Sequence, residues 1–174
     1  MAVERTGVYT SRGNPLTLVG PEMTAGQKAP DFTVLGQGLK PIKLSDSSGK
    51  VRIIASVPSL DTGVCSEETI KFNELAAGLP DNAEILTLSM DLPFAQGRWC
   101  GANGIESLTT ASDFKDREFQ EAYGVKVKET GLLARAVFVV GKDDTVKYVQ
   151  YLSENLDLPD FDAAMAAAKA AASE

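Results

Sequence analysis

The chain has 174 residues, two cysteines, Cys65 and Cys100, and no histidine. Without imidazole there is no Ser-His-Asp hydrolase, no Cys-His protease and no His-ligated metal site. Two thiolates are also too few for a four-thiolate zinc site or an iron–sulfur cluster within one chain. Carboxylate, hydroxyl, amine and thiol chemistry remain. Cys65 closes the stretch Pro58-Ser59-Leu60-Asp61-Thr62-Gly63-Val64-Cys65, which reads as a strand-to-helix junction. Asp61 or Thr62 can cap the helix, leaving Cys65 in its first turn. An ordinary thiol, with a pKa of about 8.5, is only a few per cent thiolate at neutral pH, and a helix N-terminus with a nearby cation raises that fraction. Glu67 and Glu68 act in the opposite sense. The Thr62 hydroxyl, three residues earlier, is within reach of the sulfur or of an oxygen bound to it, and Pro58 stops the strand and shields the pocket. The plainer alternative is that Cys65 is a small buried hydrophobe, as most lone cysteines in such helices are.

Arg135 interrupts Leu132-Leu133-Ala134-Arg135-Ala136-Val137-Phe138-Val139-Val140, an apolar run of the kind found in a strand buried on both faces. A buried guanidinium needs a carboxylate or an anionic site opposite it, because an uncompensated charge destabilises by several kcal/mol. An ion pair with a purely structural role, or an exposed strand start, also fits this run. Cys100 lies in Asp91-Leu92-Pro93-Phe94-Ala95-Gln96-Gly97-Arg98-Trp99-Cys100-Gly101. Gly97 and Gly101 each cost about 1 kcal/mol of helical propensity, so a short, broken helix that opens easily is expected there. A buried partner of Trp99 without a redox role is the alternative for Cys100.

The elements that must position these residues follow from pattern. Val8-Tyr9 and Leu16-Thr17-Leu18-Val19 flank Ser11-Arg12-Gly13-Asn14-Pro15, which predicts an N-terminal β-hairpin within about residues 1–20. Short strands are expected at Phe32–Leu35 and Ile42–Leu44, and a central strand at Val51–Val57 that stops at Pro58. Cys65, Thr69, Phe72, Ala76 and Leu79 recur at helical spacing and predict a helix over 63–78. A strand at Glu84–Met90, a short segment from Pro93 to Cys100, a turn at Gly101–Gly104 and a helix around 114–122 follow. Strands at Ala134–Val140 and Val146–Leu152 flank the turn Gly141-Lys142-Asp143-Asp144. A closing helix from Asp160 places Phe161, Met165, Ala168 and Ala172 on one face. This order implies one α/β domain over residues 1–174, of thioredoxin-like fold, with a central mixed β-sheet flanked by helices.

Composition bounds the setting. The chain is 44% hydrophobic, 24% charged and 7% aromatic, and no run approaches the roughly 18 apolar residues of a membrane span. A formal charge of −7 argues against a nucleic-acid backbone or an anionic membrane as main partner. Met-Ala-Val-Glu-Arg shows no basic segment leading into an apolar one, so a cytoplasmic, reducing location is expected. There a cysteine pair is more often inert or catalytic than a permanent crosslink.

Pro58, Thr62 and Cys65 form the Pro-x-x-x-Thr-x-x-Cys signature, and the chain resembles the peroxiredoxins. With Lys71-Phe72-Asn73, Asp91-Leu92-Pro93-Phe94-Ala95-Gln96 and Ala134-Arg135-Ala136-Val137, it is similar to the atypical two-cysteine branch, the bacterial thiol peroxidases, from hairpin to terminal helix. The resemblance implies a peroxidase that reduces hydrogen peroxide and organic hydroperoxides. It implies Cys65 as the peroxidatic thiol, supported by Thr62, Arg135 and Pro58. It implies Cys100 as the resolving thiol that closes an intramolecular disulfide, which thioredoxin reduces. A homodimer is usual in that family, and no cofactor or metal is implied. A Cys-x-x-Cys exchanger fits poorly, since Ser66-Glu67-Glu68 follows Cys65; a redox sensor using the same oxidation stays open as a further role.

Overall fold

The computed structural model describes residues 2–174. Two strands, β1 (Glu4–Ser11) and β2 (Asn14–Val19), form the expected hairpin, and β8 (Lys126–Val127) pairs with its second strand. The main sheet contains β3 (Thr33–Leu35), β4 (Pro41–Lys43), β5 (Val51–Ser56), β6 (Ala83–Ser89), β7 (Thr109–Ser112), β9 (Ala136–Val140) and β10 (Val146–Tyr151). Its seven strands run in the order β10-β9-β5-β6-β7-β3-β4, with β5, β6 and β7 mutually parallel and the remaining pairings antiparallel. The helices are α1 (Gly63–Leu75), α2 (Pro93–Asn103), α3 (Glu118–Ala122) and α4 (Phe161–Ala172).

Strand periodicity divides the interior in two. Val51, Ile53 and Ala55 of β5 and Val137 and Val139 of β9 face a core completed by Phe72 of α1 and Ala164, Met165 and Ala168 of α4. Their neighbours Ile54, Ala136, Phe138 and Val140 face the opposite core, which holds Tyr9 and Leu18 of the hairpin. Phe32, Phe119, Tyr123 and Phe138 meet there edge-on or stacked, with Phe119 and Tyr123 centroids 4.7 Å apart. Asp160 caps α4 by accepting from the Ala163 N–H at 3.0 Å.

One edge of the sheet gathers the chemistry. Ser56, the last residue of β5, pairs with Leu88 near the end of parallel β6 and with Ala136 at the start of antiparallel β9. The carboxyl ends of β5 and β6 and the amino end of β9 therefore share an edge. There α1, α2 and the residue preceding β9 begin.

Three expectations need correction. The Cys100 segment is an unbroken helix to Asn103, with Gly97 and Gly101 inside it and no turn at Gly101; Gly104, in the left-handed region at φ 63°, ends it. Pro93 starts this helix and buried Trp99 and Gln96 anchor it, so packing overrides the weak propensity of its glycines. The side-chain amide of Gln37 lies over Gly97, in space a β-carbon there would share. Strand β9 begins at Ala136, leaving Arg135 just outside the ladder. Finally, β7 and β8 were not expected: Thr109-Thr110-Ala111-Ser112 is too polar to show as an apolar run, yet it sits between β6 and β3. Phe119→Ala, which empties a fully buried site among aromatic rings, should cost about 3–5 kcal/mol in urea unfolding while leaving the sheet intact by circular dichroism.

Candidate active site

Cys65 lies in the first turn of α1 with no exposed surface. One helical turn on, Glu68 points to the same side and is also fully buried. Arg135 faces both. Its Nη2 donates to Cys65 Sγ at 3.2 Å, its Nη1 to Glu68 Oε2 at 2.5 Å, and its Nε to the Asn155 carbonyl at 2.9 Å. The guanidinium is 1% exposed, so its planar fork is consumed by protein partners and aimed by them. Tyr9 of the hairpin donates from its hydroxyl to Asn155 Oδ1 at 2.7 Å, bracing the carbonyl that receives Arg135 Nε. Burial pushes the Tyr9 phenol up to about 12, so it stays a neutral donor.

Glu68 Oε1 has no hydrogen-bond partner. Its carboxyl is pushed up to about 7 by desolvation, against the opposing pull of the Arg135 charge and hydrogen bond. Burial tends to lower the Arg135 pKa, but Glu68 and Cys65 outweigh it and hold the guanidinium above its ordinary value. The result is a cation shared between a carboxyl and a sulfur, in a water-excluded pocket where such contacts are strong.

Of the residues singled out from sequence, Cys65 and Arg135 meet directly, and Pro58 is buried two residues beyond the end of β5. Thr62 does not hydrogen-bond the sulfur as expected. It occupies the N-cap position of α1, but its hydroxyl is turned to the Ser59 carbonyl at 2.9 Å. Arg135 meets both a carboxylate and the sulfur, where either alone had seemed sufficient. Cys100, on α2, is partly buried against the cluster of Val57, Leu60, Cys65 and Trp99, and its sulfur lies 3.5 Å from Thr110 Oγ1. The two thiols are unlinked. Sequence reasoning missed the partnership of Glu68 with Arg135 and the roles of Tyr9 and Asn155. The spacing of three between Cys65 and Glu68 was the available signal for the first; nothing local marks the other two.

The Redoxin family model matches residues 24–165. The chain belongs to the redoxin family. The chain is 56% identical over 162 residues to the thiol peroxidase of Halalkalibacterium halodurans, covering 93% of this chain and 97% of that protein. It is 52% identical over 161 residues to the thiol peroxidase of Bacillus subtilis, covering 92% and 96%. Among solved structures, a peroxiredoxin-like protein from Aquifex aeolicus superposes with a TM-score of 0.88 at 41% identity, covering 97% of this chain and 98% of that one. The thioredoxin-like fold expected from the pattern of strands and helices is the redoxin fold observed. Among the described residues, no helix is long and apolar enough to cross a membrane.

Because native Glu68 holds its proton above the ordinary value of 4.5, the native state binds more protons than the unfolded chain between about pH 4.5 and 7. The contribution of this group to stability therefore falls as pH rises through that window. Glu68→Gln should flatten that part of the pH dependence of urea unfolding; an unchanged slope would contradict the assignment.

Proposed function

We propose that Cys65 is the peroxidatic thiol of this redoxin and Cys100 its resolving thiol, with Arg135 the donor that stabilises the reacting sulfur and departing oxygen. The observation that carries this reading is the 3.2 Å contact from Arg135 Nη2 to Cys65 Sγ, made by a guanidinium whose other nitrogens are already held by Glu68 and Asn155. The thiolate is the form that attacks, and a guanidinium N–H aimed at the sulfur is placed to hydrogen-bond the reacting sulfur and the departing oxygen. The chain is a thiol-dependent peroxidase, as its thiol peroxidase relatives indicate.

The chemistry follows in balanced steps. The Cys65 thiolate attacks one oxygen of the hydroperoxide; an S–O bond forms, the O–O bond breaks, and the departing oxygen leaves as water or alcohol after taking a proton. Negative charge develops on that oxygen, and the Arg135 fork, preorganised by Glu68 and Asn155, lies where it can be stabilised. Cys65 is left as a sulfenic acid. The Cys100 thiolate then attacks that sulfur, forming the disulfide and releasing water. A dithiol of the thioredoxin type supplies two electrons to restore both thiols. Pro58 is buried just past the end of β5 and is assigned to shield the Cys65 thiol from solvent. Thr62 is assigned to orient peroxide, through rotation of its hydroxyl away from the Ser59 carbonyl. The thioredoxin partner and the homodimer rest on family resemblance; a reducing, cytoplasmic setting suits two thiols that must be returned to the reduced state. One domain over 1–174 is supported by two cores that share a single main sheet.

Peroxide-dependent oxidation of reduced thioredoxin should be rapid in the wild type and lost in Cys65→Ser. Cys100→Ser should complete one turnover and then stall, accumulating overoxidised Cys65; steady cycling in that variant would overturn the resolving role. A wild-type rate no faster than that of a free thiol would overturn the whole reading. Arg135→Ala should slow peroxide attack on Cys65 by about 10²-fold in stopped-flow oxidation; an unchanged rate would remove Arg135 from the chemistry.

A further inference from the structure

Between the segment that precedes Cys65 and the helix that carries Cys100 runs a chain of polar contacts that the reaction above does not use. Asp91 stands between β6 and α2, half-buried. Its Oδ1 accepts from Ser59 Oγ at 2.7 Å, and its Oδ2 accepts from the Leu60 N–H at 2.8 Å and from Ser89 Oγ at 2.7 Å. Ser59 Oγ in turn accepts from the Asp61 N–H at 3.2 Å. On the other side, Ser89 Oγ accepts from Gln96 Nε2 at 3.0 Å, and Gln96 lies on α2 one turn before Cys100. One carboxylate thus ties the loop leading into α1 to the strand end and, through Ser89, to α2.

These bonds belong to the arrangement in which Cys65 faces Arg135 and Cys100 faces Thr110. A disulfide requires the two sulfurs to come to about 2 Å, so both must leave those partners and their segments must shift. Three hydrogen bonds to one carboxylate, made in the first arrangement and strained or broken in the shift, bias the equilibrium toward the first. We propose that Asp91 is a positioning residue, a polar latch that holds the Cys65 loop and the Cys100 helix in the peroxide-reactive arrangement. It thereby sets how fast the sulfenic acid is resolved relative to how often a second peroxide overoxidises it. This inference rests on the proposed roles of Cys65 and Cys100.

The arithmetic makes the effect asymmetric. When the latched arrangement dominates, weakening it leaves the populated state nearly unchanged but multiplies the rare open state from which the disulfide closes. Asp91→Asn keeps the size of the side chain and removes its charge and one acceptor oxygen; Ser59→Ala removes one of the three bonds to the carboxylate, together with the acceptor of the Asp61 N–H. Stopped-flow mixing with hydrogen peroxide, followed by Trp99 fluorescence and by mass spectrometry of the Cys65 sulfinic acid, separates the steps. Asp91→Asn should speed disulfide closure and raise the peroxide concentration for half-overoxidation by about three- to ten-fold, with Cys65 oxidation slowed less than two-fold. Ser59→Ala should move both in the same direction by a smaller factor, and carries the test if Asp91→Asn does not fold. Phe119→Ala, which destabilises the aromatic cluster of Phe32, Tyr123 and Phe138, should leave the overoxidation midpoint in place. If the wild type forms no Cys65–Cys100 disulfide, the cysteine roles fail and this inference with them. If it does, but the folded variants match the wild type, or Phe119→Ala shifts the midpoint as far, the latch is refuted and the cysteine roles stand.

Discussion

A single buried guanidinium carries the site. Arg135 has given up water entirely, a state that is destabilising unless each N–H finds an acceptor and the charge finds a counter-charge. Glu68 supplies most of that compensation, the Asn155 carbonyl takes Nε, and the remaining nitrogen is directed at Cys65 Sγ. The arrangement couples stability to chemistry, because the contact that polarises the sulfur is one that the arginine needs in order to be buried. It also explains why Cys65 and Glu68 lie on one helical turn: a single rigid element sets both distances from the guanidinium at once.

Sheet topology then decides which segments can reach that cation. Parallel pairing of β5 with β6 sends α1 and α2 off the same edge, and antiparallel β9 starts from that edge, so Arg135, which immediately precedes it, lies there too. The two cysteines are thereby neighbours in space, both packed on Leu60 and Trp99, although each sulfur is turned to a different partner. The apolar cores on the two faces of the sheet make this frame stiff. The loop at residues 59–61 and the start of α2 are instead joined through side-chain hydrogen bonds to Asp91 and Ser89. A reaction that needs one rigid and one yielding segment finds them on either side of that boundary.

Much of the frame could be read along the chain. The β-branched run at Val51–Ser56, the hairpin turn around Gly13 and the Ala-rich helix after Asp160 are local signals strong enough to survive folding. The polar strand β7 was hidden because its burial comes from flanking strands, and α2 looked fragmented because glycine propensity counted for more than the packing of Trp99. Within the site, Cys65 and Arg135 stood out as residue types that conflict with their surroundings. Thr62 was correctly placed at the helix start, but the direction of its hydroxyl was not recoverable, since a rotamer answers to whichever acceptor is nearer.

The choice of thiol chemistry came from the resemblance to the peroxiredoxins. Residue identity and spacing alone narrowed the chemistry to carboxylate, hydroxyl, amine or thiol groups, put Cys65 near a helix start after a strand, and required a carboxylate or anionic site opposite Arg135 wherever that residue is buried. Those conclusions follow from valence, periodicity and the cost of desolvating a charge, none of which depends on distant chain segments. Only the tertiary structure decided that Glu68 and the sulfur together face the guanidinium, that Tyr9 and Asn155 brace it, and that Asp91 bridges the two cysteine segments. These are contacts between residues far apart in sequence, and their partners are selected by strand order and register, which no local pattern encodes.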